Sequence, residues 1–119
     1  MKKVLWVSRH EMTREQFSDL ERALGDSVEL VLWRDTVRKA ADLAEAVRES
    51  DAVAVVLPPE MLGEVLRLAG SRPVLRAVAG REPNGRVVTL PDGRREAEFT
   101  FAHKGWEQIL RAEFVSRRL

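Results

Sequence analysis

Four short apolar runs that lack polar alternation constrain the fold of this 119-residue chain more than any other feature. Continuous apolar runs are typical of strands that are buried on both faces of a parallel sheet. Helical patterns separate the runs, and three strand–helix units followed by a strand imply right-handed crossovers, with helices on both faces of the sheet. We therefore predict a parallel α/β core over residues 1–80. The four runs are Val4–Ser8, Val28–Trp33, Ala52–Leu57 and Pro73–Ala79.

Local signals set the ends of the predicted helices. Thr13 and Gln16 have the spacing of a capping box at the start of the first helix, and Gly25 is a natural stop at its end. Proline suits the first turn of a helix, so Pro59 marks the start of the third predicted helix. The later helices are expected from Asp35 or Thr36 to about Ser50, and from Pro59 to Gly70.

After residue 80 the strand–helix units are followed by the pattern of a β-hairpin. Asp92-Gly93 is a strong turn signal and predicts a C-terminal β-hairpin over residues 86–103. In its second strand, polar residues alternate with Ala97, Phe99 and Phe101, so one face should be buried and the other exposed. Residues 104–119 form a short terminal element whose sequence fits either a helix or a strand. Trp106, Ile109, Leu110 and Glu113 fit a helix, whereas Glu113-Phe114-Val115-Ser116 fits a last strand.

Composition excludes several classes of function. The chain has no cysteine, which rules out disulfides, thiol catalysis and cysteine-ligated metal, and agrees with a reducing cytoplasm. Two histidines argue against a structural zinc site. No apolar run approaches the roughly 20 residues that span a bilayer, and the first residues lack the apolar core of a signal peptide. We expect a single-domain, cytoplasmic protein without a metal or other cofactor.

The net charge of +1 is the sum of an acidic N-terminal part and a basic C-terminal part. Residues 1–71 carry 10 Lys/Arg against 13 Asp/Glu, whereas residues 72–119 carry 10 against 6, and the two parts sum to the net charge of +1. The basic half suits a phosphate-bearing partner or forms a solvated basic face. Its cations are interleaved with Glu82, Glu96, Glu98, Glu107 and Glu113, which argues against a continuous nucleic-acid track and against sequence-specific DNA binding.

Ser8, Arg9 and His10 leave the first strand at its carboxyl end, where ligands bind in open α/β sheets and where helix N-termini favour anions. His10 can act as a general acid or base, a role worth about 10²–10⁴-fold in rate, or it can simply hydrogen-bond its own loop. Ser8 can donate to a phosphate oxygen or close the strand end. Arg9 can neutralise phosphate.

A second group of candidates lies in the basic half. Arg81 follows Gly80 at the carboxyl end of the fourth strand and is the next candidate phosphate clamp. His103 ends the hairpin strand and is either functional or a histidine at the edge of the core. Trp106, close to His103 and Lys104, can stack on a base, but core packing is favoured. The chain contains neither a G-x-G-x-x-G fingerprint nor a Walker loop, which disfavours dinucleotide and nucleoside-triphosphate binding.

Two stretches carry a resemblance to a known family. The segment Ser8–Gln16, following an apolar strand, resembles the opening of small CARF-like (Rossmann-like) ring nuclease proteins accessory to type III CRISPR systems. Those proteins have a Ser/Asn-His pair followed by Leu/Met-Thr-x-Glu-Gln, and here Arg9 is inserted within the pair. The segment Leu90–Gly93 followed by Phe99–His103 is similar to a hairpin with an aromatic-x-His ending in the same proteins.

The resemblance implies a Rossmann-like fold and a cyclic oligoadenylate ligand that is bound across the two-fold axis of a homodimer. It implies metal-free cleavage of that ligand in antiviral defence, in which a ribose 2′-hydroxyl attacks the adjacent phosphate and leaves a 2′,3′-cyclic phosphate. In that chemistry the protein positions the nucleophile and stabilises charge. The implied acid/base residues are His10 and His103, and the implied ligand-binding residues are Ser8, Arg9, Arg81 and Lys104.

Three functions remain open on the sequence. The first is a ring nuclease, or a protein that sequesters the same nucleotide without cutting it. The second is a non-enzymatic module in which the hairpin and the region of Trp106 form an interface. The third is a nucleic-acid-binding accessory protein. The first of these predicts that His10, Arg81 and His103 converge in a common cleft.

Overall fold

The structure, a computed structural model, describes residues 1–113 and 115–119. Within these residues the chain forms a single five-stranded sheet with the strand order β2-β1-β3-β4-β5. The first four strands are parallel, and β5 pairs antiparallel with β4. The fold is therefore mixed α/β with a mostly parallel sheet, as predicted. The strands are β1 Lys2–Val7, β2 Val28–Trp33, β3 Ala52–Val55, β4 Val74–Thr89 and β5 Arg95–Gln108.

Helices cover both faces of the sheet. Alternate residues of each strand face opposite sides, so Leu5 and Val7 pack against the second and third helices while Val4 and Trp6 pack against the first. Each large apolar side chain buried in this way contributes roughly 1.5–3 kcal/mol. The helical elements are α1 Arg14–Leu24, a 3-10 turn Ala40–Leu43, α2 Ala44–Arg48 and α3 Pro59–Ala69.

The first helix begins and ends where the sequence predicts. The Thr13 side chain accepts a hydrogen bond from the backbone of Gln16 at 3.1 Å, and the Gln16 side chain accepts one from the backbone of Thr13 at 2.9 Å. Gly25 ends the helix with a φ of 69°, a left-handed conformation that glycine adopts without strain. The predicted capping box and stop signal are confirmed.

The prediction of a second helix from Asp35 or Thr36 to Ser50 is wrong at its start. Helical structure begins only at Ala40, as a 3-10 turn, and Lys39 precedes it without a side-chain cap. The Thr36 hydroxyl accepts a hydrogen bond from Arg9 instead of capping a helix. The third helix begins at Pro59 as predicted.

The predicted boundaries of the hairpin are also wrong. The fourth strand and the first hairpin strand form one continuous β4, and β5 extends past residue 103 into the sheet. The register of this long pairing shifts at two bulges, between Val78 and Ala79 and between Pro83 and Val87. In the second bulge Gly85 has a φ of 84°. The fourth strand thus continues into the hairpin through residues that are accommodated in bulges.

The terminal element is not helical where the structure describes it. Trp106 belongs to β5, and its indole donates a hydrogen bond to the carbonyl of Gln16 at 2.9 Å. Ile109 donates to the carbonyl of Val74 at 2.7 Å, after which residues 110–113 and 115–119 form neither helix nor strand. The alternative of a strand over residues 113–116 includes Phe114, which lies outside the described residues.

The β4–β5 hairpin projects from the carboxyl edge of the sheet. Ala54 of β3 pairs with Leu75, and β3 ends one residue later, whereas β4 continues to Thr89. We call residues 80–102 the β-arm. It contributes to a radius of gyration of 17.7 Å, compared with about 13–14 Å for a compact domain of this length. The apolar face that was predicted to be buried is not covered within one chain, since Phe101 is 78% exposed.

Candidate functional site

A cavity of about 320 Å³ lies at the carboxyl ends of β1, β2 and β3. β2 and β3 flank β1 on opposite sides, so the strand order reverses at this point. In open α/β sheets the crevice at such a reversal is the usual ligand site. We call this space the switch-point cavity. Its lining comprises Val7–His10 after β1, Asp35–Val37 after β2, Val56–Pro58 after β3, and Met61 of α3.

Hydrogen bonds fix the loop that follows β1. Ser8 is buried, and its backbone N–H donates to the carbonyl of Trp33 at 3.2 Å. The Ser8 hydroxyl oxygen accepts from the backbone N–H of His10 at 3.0 Å, and the Trp6 indole donates to the carbonyl of His10 at 2.9 Å. Because the backbone of His10 makes these bonds, its exposed imidazole is not needed to hold the loop. Ser8 closes the strand end, as one of its two predicted roles requires.

Arg9 joins the β1 and β2 sides of the switch-point cavity. Its guanidinium donates a hydrogen bond to the Thr36 hydroxyl, which uses part of a group with five N–H donors. The carboxylate of Asp35 belongs to the same lining. The cavity therefore presents a fixed cation for an anionic group and an acidic acceptor for hydroxyl or amino groups.

The remaining wall of the switch-point cavity is apolar. Val37 and Leu57 are half-buried, and Val56 is exposed although it directly follows the buried strand β3. Met61 adds a polarisable side chain that adapts its shape to a ligand. An apolar wall beside a few fixed polar groups is the usual composition of a small-molecule site.

His103 lies in a different place, beside α1. Its side chain is 9% exposed, and its Nε2 lies 2.8 Å from a carboxylate oxygen of Asp19. A carboxylate can only accept, so Nε2 carries the hydrogen, while Nδ1 is buried without a partner among the described residues. This hydrogen bond, assisted by Arg22, lowers the pKa of Asp19. The geometry matches the core-edge alternative for His103, and its catalytic role stays a prediction.

His103 also lines a second cavity, of about 470 Å³, between the start of α1 and the base of the β-arm. Trp106 lies next to it, with ring centroids 6.0 Å apart, and packs edge-on against Trp6 at 6.1 Å. Core packing, the favoured interpretation of Trp106, is therefore confirmed. The lining of this second cavity comprises Thr13–Gln16, Ala79 and Phe101–His103.

The other predicted clamps lie on the β-arm or at its base. The Arg81 guanidinium lies 4.6 Å from the centre of the Phe99 ring. The Lys104 ammonium pairs with Glu82, and its stem crosses Gly80 so closely that a Cβ there would clash. In a single chain, His10, Arg81 and His103 therefore lie at three separate places, so the predicted common cleft is not formed within one chain. Their joint action would require another molecule or a different arrangement, and their roles stay predictions.

Sequence reasoning placed Asp35 and Thr36 at a helix cap and missed them as site residues. Both lie within three residues of the end of β2, and the carboxyl ends of neighbouring parallel strands meet at one edge. That topological signal was available in the sequence. Met61 carries no comparable local signal, because its place depends on how α3 packs.

Comparison of the chain with protein-family models, with curated proteins and with solved structures finds no match. Over residues 1–113 and 115–119, no group of three His, Asp or Glu side chains is arranged to hold a metal ion. Among the helices in the described part of the chain, none has the length and apolar character needed to cross a membrane.

Proposed function

We propose that this protein binds a nucleotide in the switch-point cavity and that its ligand is cyclic oligoadenylate. One observation supports this more than any other: loops from three strands bring a cation, a carboxylate and an apolar wall together at the point where the strand order reverses. The resemblance of Ser8–Gln16 to ring nuclease proteins supplies the identity of the nucleotide. A Rossmann-like assignment of the fold and a cytoplasmic location belong to the same proposal.

The three parts of a nucleotide match three parts of the cavity. Arg9 donates to a phosphate oxygen with the N–H groups that do not face Thr36. Asp35 accepts from a ribose hydroxyl or an adenine amino group. The apolar wall formed by Val56, Leu57 and Met61 packs against the base. No metal ion is required for any of these contacts.

The size of the cavity limits what a single chain can hold. A volume of about 320 Å³ is near the lower end for small-molecule sites, which suits one nucleotide but not a ring of several. The other nucleotides of a cyclic oligoadenylate therefore lie outside the cavity. A homodimer that offers two such cavities to one ring satisfies this requirement.

The proposed cleavage of cyclic oligoadenylate uses only groups of the protein and of the ligand. The ribose 2′-oxygen forms a bond to the adjacent phosphorus, and the bond from phosphorus to the 5′-oxygen breaks. The 2′-hydroxyl loses a proton to a base, and the departing 5′-oxygen gains one, which gives a linear product with a 2′,3′-cyclic phosphate. His10 is the histidine in the cavity lining and is assigned this proton transfer, while Arg9 stabilises charge on the phosphate.

Binding and cleavage are tested with cyclic tetra-adenylate and cyclic hexa-adenylate in EDTA, by calorimetry and by chromatography of the products. Arg9→Ala should weaken binding by about 10- to 100-fold, since hydrogen bonds to charged groups contribute about 1.5–3 kcal/mol. Arg48→Ala, which removes an exposed arginine of α2 that lines neither the switch-point cavity nor the second cavity, is the matched control. Unchanged binding by Arg9→Ala would exclude this cavity, and no binding by the wild type would exclude the ligand.

His10→Ala and His103→Ala separate the catalytic assignments. Loss of cleavage with retained binding in His10→Ala assigns proton transfer to His10, whereas the same result in His103→Ala alone assigns it to His103. Binding by the wild type without cleavage identifies a non-catalytic sponge or sensor of the nucleotide.

A further inference from the structure

We propose that the β-arm is a dimerisation element that packs face to face against the β-arm of a second copy of this chain. The proposal depends only on the arm and does not rest on nucleotide binding. A two-stranded hairpin is marginally stable by itself in water, so an arm of this length needs a covering surface.

One face of the arm is apolar and uncovered. Residues that pair across the two strands share a face, and the pairs Arg81–Phe101, Pro83–Phe99 and Val87–Ala97 all lie on the same one. We call these six residues the arm strip. Phe99 is 45% exposed and Val87 is 58% exposed, in addition to the largely exposed Phe101. Within the strip the one charge belongs to Arg81, which lies over the Phe99 ring, and beyond the strip the same face continues to Thr89 and Arg95 at the tip of the arm.

The opposite face of the arm is mainly acidic and polar, with Val88 as an exposed apolar side chain. It carries Glu82, Glu96 and Glu98, of which Glu98 accepts a hydrogen bond from Asn84 at 2.9 Å and Glu82 pairs with Lys104. Two copies that met through this face would bring carboxylates together, which is unfavourable. The arm strip is therefore the face that favours self-association.

The strip is large enough for a dimer. The six residues of the arm strip are all exposed, and together they present about 500 Å² per copy. Two copies together bury about 1,000 Å², which is the lower limit for a specific interface. The strip thus reaches the minimum area of a specific dimer interface.

The position of α1 determines how the two arms can meet. His103 lies on the same side of the sheet as the arm strip and contacts Asp19 of α1, so α1 covers that side next to the arm. Packed sheets lie about 10 Å apart, and a helix is itself about 10 Å thick. Arms that run parallel would place the two α1 helices in the same space. Antiparallel arms keep the two α1 helices apart, because the two domains then lie at opposite ends of the paired arms.

An antiparallel pair with its two-fold axis near Phe99 gives complementary contacts. Phe101 then faces the partner's Ala97, and Ala97 faces the partner's Phe101, so a large side chain meets a small one twice. The same symmetry turns the carboxyl edges of the two sheets toward each other. The arm strip is therefore self-complementary in shape as well as in polarity.

The oligomeric state tests the proposal directly. Light scattering after size-exclusion chromatography, at tens of micromolar, should give the wild type a mass of twice the 13.5 kDa of the chain. The double variant F99S/F101S should give the mass of a single chain. Val88→Ser, which removes an apolar side chain from the opposite face of the same arm, is the matched control and should remain dimeric. A monomeric wild type, or a dimeric double variant, would overturn the proposal.

Cross-linking gives a second test that does not depend on losing the dimer. The chain has no cysteine, so a single Phe99→Cys substitution creates one reactive site. A bismaleimide with a span of about 10 Å, the distance between packed sheets, should join two Phe99→Cys chains efficiently and two Val88→Cys chains poorly. Circular dichroism of each variant checks that the domain is folded. Equal yields for the two positions would exclude packing through the arm strip.

Discussion

Arg9 owes its position to one neighbour from a different strand. The hydrogen bond from its guanidinium to the Thr36 hydroxyl holds the side chain at the rim of the switch-point cavity, although Arg9 itself is exposed. An exposed arginine that lacks such a bond loses considerable side-chain entropy when it binds a ligand. Thr36 is therefore a positioning residue for the proposed ligand.

Removing the Thr36 hydroxyl tests this role. Thr36→Val keeps the shape of the side chain and should weaken binding of cyclic oligoadenylate by about 2- to 10-fold, the effect of one lost hydrogen bond. Thr36→Ser retains the hydroxyl and should bind like the wild type. Calorimetry measures both variants, and equal affinities for Thr36→Val and the wild type would contradict a positioning role.

Asp19 makes the stability of the fold depend on acid pH. The hydrogen bond from His103, with help from Arg22, lowers the pKa of Asp19 below its usual 3.8 in the folded state. The ionised carboxylate therefore adds stability above that value, and this contribution is lost as the pH falls toward the lower folded-state pKa. Urea unfolding between about pH 5 and 2 should show a smaller acid-dependent loss in Asp19→Asn than in the wild type. Glu29→Gln, at an exposed strand position, is the control, and parallel curves for Asp19→Asn and the wild type would disprove the linkage.

Among the elements, α1 depends on its first turn as well as on its packing. Thr13→Ala removes the capping oxygen and should cost about 1 kcal/mol of unfolding free energy, or about 3–5 °C in Tm. Thr13→Ser keeps the oxygen and should cost much less. Thermal unfolding followed by circular dichroism compares the two variants, and equal losses would show that the methyl group rather than the cap is responsible.

The elements that the sequence predicted best are those with local signals. β1, α1 and β2 have apolar periodicity, a capping box and a glycine stop within a few residues of one another. At the predicted start of the second helix, Thr36 instead bonds to Arg9, 27 residues away, which no local pattern indicates. The continuity of β4 depends on pairing with β5, which no local pattern reveals.

The same distinction applies to the candidate site. Ser8, Arg9 and His10 could be predicted because a strand end is a local feature. Their meeting with Asp35 and Met61 depends on the strand order and on helix packing. The pairing of His103 with Asp19 spans 84 residues and was equally inaccessible to local patterns.

At the scale of the whole molecule, dimerisation through the β-arm should affect the affinity of the switch-point cavity for its ligand. If two switch-point cavities hold one ring, the ring should bind the dimer more tightly than the monomer, because the second contact becomes intramolecular. The F99S/F101S variant should therefore bind cyclic tetra-adenylate at least about tenfold more weakly, although its cavity is intact. Calorimetry beside the dimeric Val88→Ser control measures this difference. Equal affinity would show that one chain holds the ligand alone.

β4 begins in the core and ends at the tip of the β-arm, so a small tilt at the base of the arm produces a larger displacement of its tip. Its first residues, Val74 and Leu75, are buried, and about ten residues at 3.3 Å each separate the base of the arm from its tip. A tilt of about 5° at the base moves the tip by about 3 Å over this length. A repacked core beneath Val74 can therefore misalign two arms while the domain itself stays folded.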